Sequence, residues 1–226
     1  MSKVLAIETA TDHASVALAI DEQLLIREGG EAQRHTEQVA PAISDLLAEA
    51  GLAPSDLDLV AVDHGPGLFT GLRVGLATAV SLAAVLELPV VTARSCDLLA
   101  QAAADVGLLG TLAVAVDARR GEVFAATYEL GGTSIATSEI SCLEPEAFAE
   151  LAASCDHLVG DGAQRFADRL GGLHVLEQPL RPSAATLARV AQASFASGSA
   201  TSASEVQALY LREPDAVANF AVRSQR

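Results

Sequence analysis

Residues 59–91 read LVAVDHGPGLFTGLRVGLATAVSLAAVLELPVV, and this stretch decides the fold of the chain. An apolar run ends at Asp63, a Gly-Pro-Gly turn follows at residues 65–67, and a helix-forming segment continues until Pro89. This order predicts a strand, a tight turn and a helix. Thr70 is the predicted N-cap, because its hydroxyl can accept from a backbone N–H two or three residues on. Such a turn presents free N–H groups at a helix N-terminus, where an anion can bind.

The helix predicted over residues 71–86 is apolar around most of its circumference. From residue 74 to residue 86 the polar side chains are Thr78 and Ser81, whereas a surface helix keeps one polar face toward water. Small residues recur at every fourth position, at Gly71, Gly75, Ala79 and Ala83. This row packs either on the chain's own sheet or against a partner. For the helix taken alone the first arrangement is slightly favoured.

Composition limits the function. Half of the 226 residues are apolar, which is enough for one large or two small domains with buried cores. The 29 acidic side chains outnumber the 14 Lys and Arg, giving a formal net charge of −15. Proteins that bind phosphates unaided concentrate basic side chains on one face. Unaided nucleic-acid binding is therefore disfavoured.

The cysteines and the N-terminal residues indicate the compartment. Cys96, Cys142 and Cys155 are an odd number without CxxC spacing, which favours free thiols in a reducing environment. A short strand-like run follows Lys3 where a signal peptide would have a longer apolar region, and the long apolar stretch at residues 74–86 is too short for a bilayer. We expect a cytoplasmic protein that does not associate with a membrane.

The chain predicts the same series of elements twice. The elements of the first half are strands at residues 4–7, 14–20 and 24–27, a helix at 36–50, and the central strand and helix. The elements of the second half are strands at 112–116, 123–128 and 135–140, a helix at 145–153, a strand at 158–160 and a further helix. The order βββαβα thus occurs twice. A chance recurrence of common α/β elements is the alternative.

The repeat predicts two lobes, at residues 1–105 and 106–226. Two such halves facing one another would enclose a cleft between strands that end in acids, as at Glu8 and Asp117. A final amphipathic helix at residues 183–197, which can pack back on the first lobe, precedes a strand-like run at 206–211.

Four blocks of sequence carry a family resemblance. They are IETATDHASVAL at residues 7–18, DHGPGLFTGLRVGL at 63–76, DARRGEVFAATY at 117–128, and Tyr210-Leu211-Arg212. Together they resemble the TsaB (YeaZ) family, a Gcp-like, M22 peptidase-like group within the ASKHA superfamily, over nearly the full length. The resemblance implies an α/β fold of two duplicated RNase-H-like (actin-like) lobes, each a mixed sheet with flanking helices.

The resemblance also implies a function. It identifies the chain as a non-catalytic partner of TsaD, required for threonylcarbamoyl transfer to N6 of adenosine 37 in tRNAs that read ANN codons. It implies a heterodimer with TsaD, which the TsaE ATPase joins, and a homodimer when the chain is alone. In this scheme tRNA is bound only through the complex, and ATP and a divalent metal belong to the complex, with no cofactor intrinsic to the chain. The expected interface is on the first-lobe helices, at His35, Glu37, Val39, Thr70, Gly71, Arg73, Val74, Gly75, Thr78 and Ala79.

The cleft between the lobes corresponds to the nucleotide site of ASKHA enzymes. Its candidate residues here are Glu8, Thr9, Gly65, Gly67, Asp117, Gly160 and Gly162. The first loop, residues 8–15, has no glycine, so its N–H groups cannot surround a phosphate easily. Glu8 and Asp117 either hold Mg²⁺ across the cleft or cap strand ends in water, and the second role is favoured. We interpret the cleft as vestigial, with an ASKHA-type ATPase or phosphotransferase as the alternative.

A metallopeptidase of the M22 type is a third and weaker hypothesis. TsaD relatives carry a His-x-x-x-His pair on a helix, a spacing that puts both imidazoles on one face. The corresponding segment here, VTARSCDLLAQ at residues 91–101, has no histidine. No metal ligand and no catalytic residue is therefore predicted.

Overall fold

The computed structural model describes residues 2–29, 35–179 and 181–212. Its first part is a five-stranded mixed sheet. The elements are β1 (Lys3–Glu8), β2 (Ser15–Ile20), β3 (Gln23–Glu28), α1 (His35–Ala50), β4 (Leu59–Gly65), α2 (Phe69–Leu86) and β5 (Val90–Arg94). The strand order is β3-β2-β1-β4-β5. β1 pairs antiparallel with β2 and parallel with β4, so the ends of β1 and β4 meet at one edge.

The second part repeats this arrangement. Its elements are α3 (Ser95–Asp105), β6 (Gly110–Arg119), β7 (Glu122–Leu130), β8 (Ser134–Ala136), β9 (Ser141–Leu143), α4 (Pro145–Ala152), β10 (His157–Val159), α5 (Asp161–Arg165) and α6 (Ala184–Ala196). The strand order is β10-β6-β7-β8, and β9 also pairs with β7. β6 is antiparallel to β7 and parallel to β10, as β1 is to β2 and β4. The predicted fold class, two mixed sheets with flanking helices in an RNase-H-like arrangement, is confirmed.

The third strand of the second sheet differs from the prediction. A single strand was predicted at residues 135–140, but β8 and β9 pair with different parts of β7. Between them the Ser138 hydroxyl accepts from the Thr127 N–H at 2.9 Å. A side chain thus takes the place of a backbone acceptor, and the regular ladder is interrupted there.

Two helices pack on the sheet formed by the other range of the chain. α3 places Cys96, Leu99 and Ala103 in the core beside the second sheet. α6 places Leu187 and Ala188 in the core beneath the first sheet. The first sheet lies within residues 1–105 and the second within 106–226, and these helices join the two lobes.

Two local predictions were wrong. α2 begins at Phe69, its N-cap position is Leu68, and no side chain caps it. The Leu68 N–H donates to the carbonyl of Ala10 at 2.6 Å, so a neighbouring loop sets where the helix begins, and Thr70 lies inside the first turn. Residues 206–211 form no strand. Instead this segment crosses β4, where the Leu209 N–H donates to the carbonyl of His64 at 2.8 Å.

Candidate partner-binding face and interlobe cleft

The small-residue row of α2 lies against the sheet of its own lobe. Gly71, Gly75 and Ala79 are buried, and a Cβ on Gly75 would lie 2.3 Å from Thr9 Oγ1. The Thr9 hydroxyl donates to the carbonyl of Gly71 at 2.8 Å. Such a close approach of helix and strand requires residues with little or no side chain. These three predicted contact residues therefore pack inside the chain, which is the first of the two arrangements considered for this row.

The opposite ridge of α2 is exposed and borders an apolar groove. Val85 keeps 80% of its surface exposed, and Ala77 and Ser81 are also exposed. The groove between α1 and α2, called here the α1–α2 groove, has a volume of about 590 Å³. Its lining includes Ala40 and Ile43 of α1, and Ala77, Ser81, Leu82 and Val85 of α2. An exposed apolar surface of this kind is typical of an interaction site.

The other predicted interface residues are distributed between the groove and the core. Glu37, Thr70 and Arg73 are exposed, and Val74 and Thr78 are half-buried. Val39 is buried in the core of the first lobe, and His35 is the first residue of α1. The sequence pattern did not single out Ala40, Ala77, Ser81 and Val85, which line the groove. Because α2 is apolar on every face, its periodicity could not show which ridge would be exposed.

α2 also satisfies the length and composition of a membrane-spanning helix, the one such helix in the described ranges. In the structure it lies across the first sheet, with the small-residue row covered by β1 and β4. Core helices of α/β proteins meet the same test. The feature that requires an explanation is its exposed apolar ridge.

The cleft residues of the first lobe are held by bonds within the chain. Glu8 and Asp63, at the ends of β1 and β4, are buried. Glu8 Oε1 accepts from the Ala10 N–H at 2.6 Å. Asp63 Oδ1 accepts from the Gly65 N–H at 2.8 Å and from the Ser95 hydroxyl at 2.9 Å. Burial raises the pKa of Glu8 well above its usual range and the pKa of Asp63 to about 7.

The acids of the second lobe are paired with arginines. Asp117 Oδ1 accepts from the Arg119 N–H at 2.9 Å, and its Oδ2 lies 2.9 Å from Arg165 Nη1. Asp161 Oδ1 accepts from the Asp117 N–H at 3.0 Å, and burial raises the pKa of Asp161. Arg181 Nε lies 3.9 Å from Asp161 Oδ2. These side chains line an interlobe cleft of about 340 Å³.

The glycines of the cleft loops allow neighbouring backbone segments to approach closely. A Cβ on Gly67 would lie 2.2 Å from the Ala10 carbonyl oxygen, and one on Gly160 would lie 2.1 Å from that of Ala115. Gly162 meets the backbone of Val116 in the same way, at 2.8 Å. Gly65 has a φ of +107°, which an L side chain would strain. These glycines therefore serve the close packing of the loops on neighbouring backbone.

The structure thus separates the predicted cleft residues into two groups. Glu8, Thr9, Gly65 and Gly67 gather at the edge of the first sheet, where Glu8 faces Asp63. Asp117, Gly160 and Gly162 gather at the edge of the second, where Asp117 has its own arginine partners. Within the described ranges, no three His, Cys, Asp or Glu side chains converge in the manner of metal ligands.

Comparisons with known proteins agree with this fold. The family model of TsaD, described as tRNA N6-adenosine threonylcarbamoyltransferase, matches residues 29–223. The tRNA threonylcarbamoyladenosine biosynthesis protein TsaB of Escherichia coli is 31% identical over 218 residues, which cover 93% of this chain and 94% of that protein. The crystal structure of YeaZ from Pseudomonas aeruginosa aligns with a TM-score of 0.83 at 31% identity, over 93% of this chain and all of the other. The chain therefore belongs to the TsaB (YeaZ) family.

Proposed function

We propose that the chain takes part in forming threonylcarbamoyladenosine in tRNA, as a non-catalytic partner of the transferase TsaD that acts as a dimerisation scaffold and activator. Its relatives in Escherichia coli and Haemophilus influenzae are named tRNA threonylcarbamoyladenosine biosynthesis protein TsaB. The observation that carries the proposal is the exposed α1–α2 groove, found on a chain whose cleft glycines pack against its own backbone.

The groove supports a partner role because its exposure to water is unfavourable. Covering apolar surface gains about 25 cal/mol for each Å² removed from water. Val85 and Ala77 are exposed on the ridge, while Ile43 and Leu82 line the groove and are partly buried. A helical partner surface of similar apolar character would cover all four. The proposal includes a homodimer through this face when TsaD is absent, because a two-fold interface uses the same patch on both subunits.

The cleft supports a non-catalytic role. An anion site needs free N–H groups, yet the N–H groups of Ala10, Gly65 and Leu68 are bonded within the chain. Asp117 lies between two arginines, which compete with a metal ion for its oxygens. In this proposal ATP and a divalent metal act in the complex with TsaD and the TsaE ATPase. The chain meets tRNA through that complex, in the cytoplasm.

Co-purification with TsaD from the same organism tests the proposal. Ala77→Arg places a long charged side chain on the exposed ridge and should abolish capture of TsaD while the protein stays folded. Ala193→Arg is a matched control, since Ala193 is an exposed alanine on α6, remote from the groove. Binding by titration calorimetry and melting temperature are measured for both variants. A folded Ala77→Arg variant that binds TsaD like the wild type, or a wild type that does not bind TsaD, would contradict the proposal.

A further inference from the structure

An exposed cluster of two aromatic rings and an arginine lies at the first turns of α2. Phe69 and Arg73 belong to α2, and Tyr210 reaches them from the segment that crosses β4. The Arg73 guanidinium carbon lies 3.7 Å from the centre of the Phe69 ring. The Phe69 and Tyr210 ring centres are 5.5 Å apart, and Arg73 Nε donates to Tyr210 Oη at 3.3 Å. These three residues are called here the aromatic–arginine cluster.

The cluster concentrates exposed apolar surface on one side of the protein. The described ranges contain six large apolar side chains that are exposed. Three of them, Phe69 at 37%, Tyr210 at 44% and Val85, lie on α2 or against it. Aromatic side chains and arginine are also the types enriched among residues that dominate binding energy at protein interfaces.

Arg73 has no acidic partner among the described residues, whereas most of the other arginines there have one. Eight arginines of the described ranges form ion pairs with Asp or Glu, namely Arg27, Arg94, Arg119, Arg165, Arg169, Arg181, Arg189 and Arg212. No carboxylate of the described ranges lies within ion-pair distance of Arg73, although the chain carries a net charge of −15. Among the described residues, the Arg73 guanidinium contacts the Phe69 ring and the Tyr210 hydroxyl.

These contacts orient the guanidinium without neutralising it. The Arg73 guanidinium stacks on the Phe69 ring and its Nε donates to Tyr210 Oη, so the two Nη groups remain available as paired donors. Arginine binds a carboxylate through two parallel hydrogen bonds of this kind. Tyr210 is itself held in place, because the Leu209 N–H donates to the carbonyl of His64 and His64 Nδ1 donates to that of Gln207.

The cluster is continuous with the α1–α2 groove. Arg73, Ala77, Ser81 and Val85 follow one another at intervals of four residues and are all exposed. Residues four apart lie on one ridge of a helix, so Arg73 ends the ridge that borders the groove. A partner that covers the groove would reach Arg73 as well.

We propose that the aromatic–arginine cluster anchors the partner-binding face, with Arg73 taking a carboxylate side chain of the partner subunit and the Phe69 and Tyr210 rings taking the apolar atoms beside it. The identity of that partner as TsaD rests on the function proposed above. An aromatic and arginine surface could also stack on bases of single-stranded RNA. That use is disfavoured because the ridge beyond Arg73 has no basic side chain to follow a phosphate backbone.

The test compares four proteins for affinity to TsaD: the wild type, Arg73→Ala, Arg73→Lys and Arg169→Ala. We expect Arg73→Ala to weaken binding by about ten- to a hundredfold, as loss of an interface anchor does. Arg73→Lys should restore only part of the affinity, because an ammonium group cannot form the paired bonds. Arg169 is the control, since it is exposed, pairs with Glu146 and lies in the other lobe. Melting temperatures should be equal to that of the wild type for both Arg73 variants.

Two results obtained with a wild type that binds TsaD would overturn the proposal. A folded Arg73→Ala variant with wild-type affinity would show that the cluster does not anchor the face. Salt-dependent binding of tRNA by the isolated chain, lost in Arg73→Ala, would assign the cluster to RNA. A wild type that does not bind TsaD would refute the proposed function. The same variants are then compared for self-association by light scattering. An Arg73→Ala variant that dimerises like the wild type would refute the role of the aromatic–arginine cluster as well.

Discussion

Glu8 and Asp63 occupy neighbouring positions near the ends of the parallel strands β1 and β4. They directly follow Ile7 and Val62, which are partners in the sheet, and both carboxyl groups are buried. Glu8 Oε2 and Asp63 Oδ2 have no hydrogen-bond partner among the described residues. Two neighbouring buried carboxyl groups cannot both ionise without a large cost. One shared proton between these two oxygens would satisfy both.

The second lobe compensates the charge of its two acids in a different way. The corresponding acids are Asp117, near the end of β6, and Asp161, two residues after β10, and they form ion pairs with Arg119, Arg165 and Arg181. The acid pair is thus repeated in both lobes. Arginines compensate the charge in the second lobe, whereas burial in the first lobe raises the pKa of both acids and so favours their protonated forms.

The buried pair predicts that stability falls as pH rises. Burial raises the pKa of Asp63 from 3.8 to about 7, so the folded state holds a proton that the unfolded chain releases. The stabilisation is complete below about pH 4 and is lost as the pH rises through 7. Asp63→Asn keeps an acceptor for Gly65 and Ser95, and its amide can donate to Glu8. We expect this variant to have a higher melting temperature than the wild type between pH 5 and pH 8. Each kcal/mol gained in the free energy of unfolding should raise the melting temperature by about 2–4 °C.

Thermal unfolding followed at several pH values checks this prediction. Glu129→Gln serves as a control, because it removes one negative charge from an exposed position of β7. The difference between Asp63→Asn and the wild type should grow with pH, and the difference for Glu129→Gln should not. A pH-independent difference for Asp63→Asn would contradict the shared proton.

Gly75→Ala should destabilise the protein by roughly 1–3 kcal/mol, because the added Cβ would lie 2.3 Å from the buried Thr9 Oγ1. Denaturant unfolding measures the loss. Ala77→Leu is the comparison: it adds a larger side chain two residues further along α2, on the exposed ridge. We expect Ala77→Leu to unfold like the wild type and Gly75→Ala to unfold earlier. Equal stabilities would mean that the glycine row is not packed against β1.

Ser183→Ala should destabilise α6. The Ser183 side chain accepts from the Thr186 N–H at 3.2 Å as the N-cap of this helix, and loss of such a cap costs about 1 kcal/mol. Since α6 covers the underside of the first sheet, the loss should appear in the melting temperature of the whole protein. Ser197→Ala, at the exposed C-terminal end of the same helix, should have little effect. Equal losses of melting temperature for Ser183→Ala and Ser197→Ala would contradict the prediction.

The isolated chain should not hydrolyse ATP at a useful rate. The N–H groups of Ala10 and Gly65 are bonded within the chain, and Asp117 is bound by two arginines. Phosphate release is measured with ATP and Mg²⁺ on repeatedly purified protein. Turnover that persists through purification and disappears in Asp117→Ala would favour the ASKHA-type ATPase instead.

Much of the fold could be read from local sequence patterns. The apolar run before Asp63, the glycines after it and Pro89 predicted β4, α2 and the end of α2 close to their observed positions. The repeated order of elements predicted two similar sheets. These features depend on side-chain periodicity and turn chemistry, which act over a few residues and are therefore visible in one sequence.

Tertiary structure decided the features that join distant residues. α2 is apolar on all sides, so only its placement on β1 and β4 determined that Gly75 is buried and Ala77 exposed. The run at residues 206–211 has the composition of a strand, but contacts with His64 and Phe69 hold it as an irregular segment across β4 and α2. Glu8 and Asp63 are 55 positions apart in the sequence, and they become one buried pair because β1 and β4 are neighbours in the sheet. Sequence patterns set what each segment can form, whereas the burial of one segment against another selects the face, the partner and the charge state that result.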